Sequence, residues 1–303
     1  MARFKAGLSL PDTSAFLHNQ YIRKSPPSTP LSVSGLIGWW DFSDVGTLKQ
    51  RVDGTLAVSS ATDPIGYVTN KLNTTNQIGR FLRAEGDTGP SAATRPSYRT
   101  GGANGHSYAE FDGTRMYLQG KMSAGWGNVT GTDFSLANIP SRDRTRFIVC
   151  APRNATYTND KGLIEVWGKD AGATLENEAL FIESSDDQVN LRTQGGQIVD
   201  STENNTTAVQ LWTWVAGVGA VSALYRNSDT SQGVDAVTVA TTDSQDLTSG
   251  VYSIGVLTNS LGVPLPGSQY EGSVYEILEF ERTLSKPEIE FIENYMKNKY
   301  SIS

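Results

Sequence analysis

The residues of this sequence whose spacing could support catalysis are its clustered carboxylates. Hydrolysis of a glycosidic bond uses two carboxyl groups, which lie about 5–5.5 Å apart in retaining enzymes. Three segments bring acidic residues together: ENE (Glu176, Glu178), ESSDD (Glu183, Asp186, Asp187) and EILEFE (Glu276, Glu279, Glu281). Glu279 and Glu281 are two residues apart, so they would share one face of a strand. Solvated strand charges are the alternative interpretation, and the one we favour.

Few residues of the chain could act as a cysteine nucleophile, serve as a histidine base or bind zinc. Cys150 is the one cysteine, which excludes an internal disulfide framework. It lies in the apolar run FIVCAP, and we interpret it as a small core residue rather than a nucleophile. The two histidines, His18 and His106, cannot build a zinc site of the usual Cys/His kind with a single cysteine. We therefore predict no catalytic residues and no zinc.

Loop carboxylates leave calcium as the one cofactor to consider. Asp41 and Asp44 in DFSD, and Asp186 and Asp187 in SSDD, place oxygen ligands close together. Neither segment has the ordered spacing of a dedicated calcium loop, and turn formation is the common role of such aspartates. We expect no bound cofactor, with calcium at these four residues as the alternative.

Three aromatic residues are candidates for stacking against a sugar ring. Trp126 in SAGWGNVTG and Tyr157 in RNATYTND lie in polar segments, whereas Trp167 ends the apolar segment GLIEVWG. Aromatic faces beside amide and carboxylate groups are typical of sugar sites. Four further tryptophans lie within apolar segments, where core or edge packing is the simpler interpretation. They are Trp39, Trp40, Trp212 and Trp214.

The charge of the chain is unevenly distributed. Residues 1–30 hold four basic residues against one acidic residue, a net charge of +3; since the whole chain carries −7, the remainder carries −10. The basic residues are Arg3, Lys5, Arg23 and Lys24. An acidic body does not favour nucleic acid or anionic membranes. A basic arm that ends in SPPSTP suits docking onto an acidic protein surface, and a frayed tail is the alternative.

Neither a membrane span nor an export signal is predicted. No run of about 18 apolar residues occurs, which a transmembrane helix requires. The first residues, MARFKAGLSLPDTS, lack the apolar core of a secretory signal. We therefore expect a protein without membrane insertion or export.

Recurring short apolar segments predict an all-β domain. From residue 106 to residue 257 they alternate with clusters of Gly, Asp and Asn, as in sandwiches and barrels. Asp112-Gly113 predicts a hairpin turn between the two strands of HSYAEFDGTRMYLQG. Both faces of QLWTWVAGV are apolar, which is typical of a central strand.

The end of the chain predicts a single helix. Apolar residues recur at helical spacing over residues 286–299, and Ser285 with Glu288 matches a capping box. We therefore predict two parts: a docking arm over residues 1–30 and a β domain over residues 31–303 that this helix closes.

The C-terminal segment YEGSVYEILEFERTLSKPEIEFIENYMKNKY resembles the closing part of concanavalin A-like (laminin G-like) lectin/glucanase domains. The matching residues are Gly272, Glu276, Arg282, Leu284, Ser285, Lys299 and Tyr300. WTWVAGVGAVSALYRNS resembles the preceding hairpin of these domains, with Ser228 in place of the usual glycine; Trp214, Tyr225 and Asn227 match. GLIGWWDFSD, AEFDGTRMYL and VYSIG resemble three further strands. The resemblance covers about residues 35–300 and implies a two-sheet antiparallel jelly-roll sandwich.

The resemblance also implies a function. Glucanases of this family carry E-x-D-x-E or a close variant, and this motif is absent, so we expect a non-enzymatic member. Similar domains occur in tailed-phage virions, so we expect a capsid decoration, head-fibre or tail component assembled in the host cytoplasm. Its expected partners are a major capsid or tail protein bound through the arm, host-surface glycans and further copies of the chain. A freestanding carbohydrate-binding lectin and a glycoside hydrolase are the alternatives.

Overall fold

Two antiparallel sheets and one C-terminal helix form the described part of the protein. The computed structural model describes residues 29–72, 81–84, 94–121, 143–169, 175–192, 198–199, 205–216, 221–227, 237–238, 249–259 and 261–303. Within these ranges the predicted all-β sandwich closed by a helix is confirmed. The basic arm, with Arg3, Lys5, Arg23 and Lys24, lies outside them, so its boundary with the sandwich stays a prediction.

The strands, numbered in chain order, divide between the two sheets. Sheet A contains β1 (Leu36–Asp41), β5 (Ser97–Arg99), β6 (Tyr108–Asp112), β8 (Arg144–Pro152), β13 (Gln210–Ala216), β14 (Val221–Arg226), β15 (Val237–Thr238) and β17 (Glu271–Phe280). Sheet B contains β2 (Leu48–Lys49), β3 (Tyr67–Thr69), β4 (Phe81–Arg83), β7 (Leu118–Lys121), β9 (Lys161–Lys169), β10 (Leu175–Ile182), β11 (Val189–Arg192), β12 (Ile198–Val199) and β16 (Ser249–Ile254).

Alternation along the strands separates an inner face from an outer face on each sheet. The inner faces meet in one apolar core, to which β8, β10, β13 and β16 all contribute. Every residue of β13 is buried, which confirms that QLWTWVA is a central strand. Trp40, Trp212 and Trp214 lie in this core, and Cys150 is buried there too, as predicted.

The outer face of sheet A is covered by the helix α1 (Lys286–Tyr300). Ile292 and Met296 pack on an apolar surface to which Trp39, Phe147 and Leu278 contribute. At the helix start, the Glu288 carboxylate accepts hydrogen bonds from the Ser285 backbone N–H and hydroxyl, at 2.9 and 2.8 Å. The predicted helix and its cap are therefore confirmed, and sheet A has no free outer face where α1 lies.

The predicted hairpin at Asp112-Gly113 is wrong. A turn does occur there, with Gly113 at φ +76°, but β6 pairs with β5 and β17 in sheet A, whereas β7 pairs with β4 and β16 in sheet B. The Asp112 carboxylate accepts hydrogen bonds from the backbone N–H groups of Thr114, Arg115 and Met116. This side chain holds the turn in place of ladder bonds, so the chain crosses from one sheet to the other.

None of the helices in the described ranges is long and apolar enough to span a bilayer.

Candidate functional site

The outer face of sheet B is the large sheet surface that α1 does not cover. Its central strands β9, β10 and β16 place Ile164, Val166, Leu180 and Tyr252 in the core between the sheets. The residues between those positions therefore point away from the core. They are Glu165 and Trp167 on β9, Asn177, Ala179 and Phe181 on β10, and Val251 and Ser253 on β16.

Trp167 is the partly exposed aromatic residue of this face. Its indole N–H donates a hydrogen bond to the backbone carbonyl of Thr258, at 3.0 Å. Asn177 is its cross-strand neighbour on β10, and Val251 is its neighbour on β16. The ring is thus held in one orientation next to a polar amide, which is an arrangement suited to a sugar ring.

Glu165 lies beside Trp167 on the same face and is fully buried. Its Oε2 accepts hydrogen bonds from the Thr258 backbone N–H and hydroxyl, at 2.5 and 2.8 Å, and its Oε1 accepts one from the Asn177 amide, at 3.2 Å. Burial raises the pKa of this carboxyl to about 7, although the hydrogen bonds from Thr258 and the charge of Arg192 act in the opposite direction. Glu165 therefore fastens the segment around Thr258 to the sheet.

That segment forms a flap over part of sheet B; the flap is residues 257–259 and 261–267. The Gln119 amide of β7 donates to the Gly262 carbonyl at 3.1 Å, so the flap lies over the β7 side of the face. Its apolar side chains Leu261, Val263 and Leu265 are 58%, 39% and 38% exposed. Leu257 of the flap packs on Ala179 and Phe181 of β10, and Trp167 lies beside the flap, bonded to Thr258.

Replacing Glu165 with glutamine is expected to stabilise the protein more at pH 8 than at pH 5. The pKa of Glu165 is about 7 in the fold, above roughly 4.3 for an unfolded chain. Between these values the folded state holds a proton that the unfolded state has lost, so stability falls as the pH rises. Glutamine removes this loss, which is on the order of 2–3 kcal/mol.

Urea denaturation of both proteins at pH 5 and pH 8 measures the effect. All other titrating groups are the same in the wild type and in Glu165→Gln. The difference in unfolding free energy between the two proteins therefore changes from pH 5 to pH 8 only through residue 165. An unchanged difference would mean that the Glu165 carboxyl titrates in its ordinary range.

Tyr157, the second predicted sugar platform, lies at one end of the sandwich rather than on this face. Its hydroxyl donates to the Glu271 carbonyl at 2.9 Å, and the ring packs against the core between the sheets. The Lys161 ammonium at the start of β9 is 5.7 Å from the ring. Trp167 is six residues farther along β9, roughly 20 Å away. The structure therefore does not bring Tyr157 and Trp167 together. Trp126 lies outside the described residues.

The loop aspartates of the calcium prediction are engaged in turns at that same end. The Asp187 carboxylate accepts a hydrogen bond from the Tyr157 N–H at 2.9 Å, and Asp187 has a left-handed backbone with φ +58°. The Asp186 carboxylate accepts one from the Gln188 N–H at 3.1 Å. Both carboxylates shape the loop in the way that turn aspartates usually do.

The other two aspartates of the calcium prediction are paired with lysines. Asp41 is buried and bonds the ammonium groups of Lys71 and Lys299, each at 3.0 Å, while Lys71 also bonds Asp44 at 2.9 Å. Burial alone would raise the pKa of Asp41, but Lys299, Ser43 and Lys71 together lower it. No group of three or more potential His, Cys, Asp or Glu metal ligands occurs in the described ranges. Calcium binding therefore stays the alternative to the expected absence of a cofactor.

The interpretation of Glu279 as a solvated strand charge is wrong. Glu279 is fully buried between the sheets, where Arg146 bonds it at 2.7 Å. Glu178 from sheet B approaches the same arginine at 3.2 Å and Arg144 at 3.3 Å. The Arg146 guanidinium also stacks on the Trp214 ring, 4.2 Å from its centroid. Two of the clustered carboxylates, Glu178 and Glu279, are therefore buried together with Arg144 and Arg146. The formal charges of these four side chains sum to zero.

The polar network around Trp167 includes residues that the sequence analysis missed. Glu165 interrupts the apolar segment GLIEVWG two residues before Trp167, so alternation could have assigned both to one face. Asn177 and Thr258 are 12 and 93 residues away from Glu165 in the chain. No local pattern links them, because the strand order and the flap bring them together.

Comparison with known proteins gives similarity at the level of structure. No protein-family model and no curated protein matches the chain. A Trypanosoma rangeli sialidase in complex with sialic acid is 10% identical over 88% of this chain and 33% of its own, with a TM-score of 0.48. Domain 4 of AbnA, a GH43 extracellular arabinanase from Geobacillus stearothermophilus in complex with arabinotriose, is 12% identical over 84% of this chain and 96% of its own, with a TM-score of 0.47.

The Ruminococcus gnavus IT-sialidase CBM40 bound to α2,3-sialyllactose is 13% identical over 58% of this chain and 97% of its own, with a TM-score of 0.41. The chain spans about a third of the length of the sialidase chains it resembles.

Proposed function

We propose that this protein is a non-enzymatic glycan-binding module whose ligand lies on the outer face of sheet B. The observation that carries the proposal is the fixed, partly exposed indole of Trp167, next to the hydrogen-bonded Asn177 and Glu165. Sugar rings bind to such aromatic faces through their apolar side, while adjacent amides and carboxylates orient the hydroxyls. Because α1 packs on sheet A instead, it does not cover Trp167, whose ring is partly exposed while Glu165, Asn177 and Val251 around it are buried.

The placement of the carboxylates supports binding without hydrolysis. Glu165 is on the face of sheet B, and Glu183 follows β10 on the same side. Ala179 is the cross-strand partner of Glu165, and Glu183 is four residues beyond Ala179. Glu183 and Glu165 are therefore about 13 Å apart along the strand direction. Both mechanisms of glycoside hydrolysis need a shorter separation, roughly 5–9.5 Å. Glu178 and Glu279 are bonded to arginines in the core instead.

Replacing Trp167 with alanine is expected to weaken glycan binding at least about tenfold, or 1.4 kcal/mol. The stacking surface and its polar anchor at Thr258 are both lost, and buried aromatic anchors dominate binding energy. Phenylalanine at the same position keeps an apolar ring and should give an intermediate affinity. A glycan array with the full chain identifies the ligand, and calorimetry then compares the variants.

Tyr157→Phe is the matched control, because it changes an aromatic residue at the end of the sandwich and should leave affinity unchanged. A blank array would contradict glycan binding. Binding that survives Trp167→Ala would place the site elsewhere.

We further propose that the protein is carried on a tailed-phage virion as a decoration, head-fibre or tail component, docked by residues 1–30. The charge distribution supports this role, because the +3 arm and the −10 remainder are suited to different surfaces. The sandwich would then present the Trp167 face to host-surface glycans. Virion structural proteins are the partners of the arm in this proposal, and further copies of the chain are expected beside it.

Removal of residues 1–28 is expected to abolish incorporation into particles while leaving the unfolding free energy unchanged. Arg3, Lys5, Arg23 and Lys24 are lost together, and charge complementarity with an acidic docking surface is lost with them. Protein content of purified particles and urea denaturation measure the two effects. Normal incorporation of the truncated chain would exclude docking by the arm.

A further inference from the structure

We propose that Lys299 of α1 and Asp41 of β1 react to form an isopeptide bond, an amide between their side chains, with Glu276 of β17 as the group that transfers the protons. The Lys299 ammonium lies 3.0 Å from Asp41 Oδ2 and 2.8 Å from Glu276 Oε2. Asp41 and Glu276 are cross-strand partners, so the pairing of β1 with β17 places both acids beside the one amine. The amine, the carboxyl group and the proton carrier of an amide-forming reaction are therefore in contact.

These three groups are fixed and largely enclosed between sheet A and α1. Asp41 and Glu276 are buried, and the Lys299 side chain is 15% exposed. The Trp39 indole and the Tyr300 hydroxyl donate hydrogen bonds to Glu276, which hold its carboxyl group in place. Groups held in contact in this way react with effective concentrations of about 10⁵–10⁸ M, which favours condensation over hydrolysis.

The two oxygens of Asp41 have different partners. Oδ1 accepts hydrogen bonds from the Ser43 backbone N–H and hydroxyl, at 3.0 and 2.6 Å, whereas Oδ2 faces the ammonium groups of Lys299 and Lys71. Donors fixed on Oδ1 stabilise the negative charge that develops there when an amine adds to the carboxyl carbon. Oδ1 therefore remains as the amide oxygen, and Oδ2 leaves as water.

The reaction needs no further reactant. The Lys299 ammonium first gives one proton to Glu276, whose pKa is raised by burial and by the adjacent Asp41, and this frees the nitrogen lone pair. The nitrogen then bonds to Asp41 Cγ while Glu276 passes its proton to Oδ2. A second proton follows from the nitrogen by the same route, the Cγ–Oδ2 bond breaks and water leaves. One ammonium and one carboxylate thus become one amide and one water molecule.

Lys71 is the competing amine, because its ammonium is also 3.0 Å from Asp41 Oδ2. Its side chain is 32% exposed, and it shares its charge with the exposed Asp44 at 2.9 Å. Lys299 is the more buried of the two lysines and is the one that bonds Glu276. The structure therefore assigns the reaction to Lys299, and Lys71 stays charged and balances Glu276 after the amide has formed.

The isopeptide bond would fasten α1 to the first strand of sheet A. Residues 41 and 299 are 258 positions apart in the chain. A cross-link that closes such a long loop restricts the unfolded chain, and it prevents α1 from leaving the sheet.

Mass spectrometry of the full chain, after purification and again after prolonged incubation under native conditions, tests the proposal. We expect the intact wild type to be lighter than its sequence mass by one water molecule, and Lys299→Arg to keep its full mass. Trypsin should release residues 25–49 joined to residues 298–303, because it no longer cleaves after the modified Lys299. Asp41→Asn should form the same bond with loss of ammonia instead of water, a change that a purely structural role for Asp41 does not produce.

Two further variants separate the role of Glu276 from that of the surrounding charges. Glu276→Gln keeps a hydrogen-bonding side chain that cannot carry the protons, so it should keep its full mass while circular dichroism shows that it folds. Lys71→Arg is the matched control, because it keeps a positive charge beside Asp41 and should retain the joined peptide. A wild type of full mass, a joined peptide that contains Lys71 in place of Lys299, or a loss of water that persists in Lys299→Arg would each overturn the proposal.

Discussion

Replacing Glu276 with alanine is expected to destabilise the protein by about 3–5 kcal/mol. Glu276 is fully buried under α1. Its carboxylate accepts hydrogen bonds from the Lys299 ammonium and the Tyr300 hydroxyl, each at 2.8 Å, and from the Trp39 indole at 2.6 Å. Removal of this acid leaves the Trp39 indole and the Tyr300 hydroxyl without this acceptor, and it leaves the largely buried Lys299 ammonium with Asp41 alone.

Burial of Glu276, together with the adjacent Asp41, raises the pKa of its carboxyl, and Lys299 and Tyr300 act against this rise. The charged form of Glu276 is therefore stabilised by Lys299. The position of α1 on sheet A depends on both residues. Glu276→Gln should cost less than alanine, because an amide oxygen still accepts one of the hydrogen bonds.

Glu290→Ala is the matched control for chemical denaturation of these variants. Glu290 is on the same helix, 57% exposed, and 3.9 Å from Lys286, which is 75% exposed; such pairs contribute under about 0.5 kcal/mol. A loss below about 1 kcal/mol in Glu276→Ala would mean that the apolar contacts of α1 hold it in place without the polar network.

Replacing Arg146 with methionine is expected to cost about 3–5 kcal/mol. Arg146 connects Glu279 of sheet A to Glu178 of sheet B, and burial alone would strongly lower the pKa of Arg146, but Glu279 and Glu178 raise it above its usual value. Methionine fills much of the same space but leaves two buried carboxylates to share Arg144. The cost is therefore electrostatic rather than a packing loss.

A variant with four substitutions separates the electrostatic cost from a packing loss. Replacing Arg144, Arg146, Glu178 and Glu279 together with leucine or methionine removes every charge of the cluster, and such replacements are often neutral or stabilising. We expect this variant to be more stable than Arg146→Met in chemical denaturation. A fourfold variant that is less stable than the single one would assign the cluster a packing role instead.

Local patterns predicted much of the fold. The capping box at Ser285, the amphipathic helix and the buried strand with Trp212 and Trp214 are confirmed because each depends on residues close together in the chain. Three of the tail residues on which the sequence resemblance rests also have a physical role here. Lys299 and Tyr300 of α1 both donate hydrogen bonds to Glu276 of β17, so these residues fasten α1 to sheet A.

The incorrect predictions concern segments that are far apart in the sequence but in contact in the structure. Asp112-Gly113 is a turn in both the sequence and the structure, but its strands join opposite sheets, which turn chemistry does not determine. Glu279 is buried because Arg146 lies opposite it on β8, 133 residues earlier in the chain. The Trp167 site depends in the same way on Thr258 and the flap, so its polar partners were not predictable from GLIEVWG alone.

Hydrogen–deuterium exchange of the full chain, with and without its array-selected glycan, tests the central claim most directly. We predict slower exchange in peptides from β9, β10 and the flap, because the ligand covers the Trp167 face and holds the Glu165–Thr258 contact closed. Slower exchange confined to residues 153–160, around Tyr157, or no change on sheet B, would contradict the assignment of this face as the binding site.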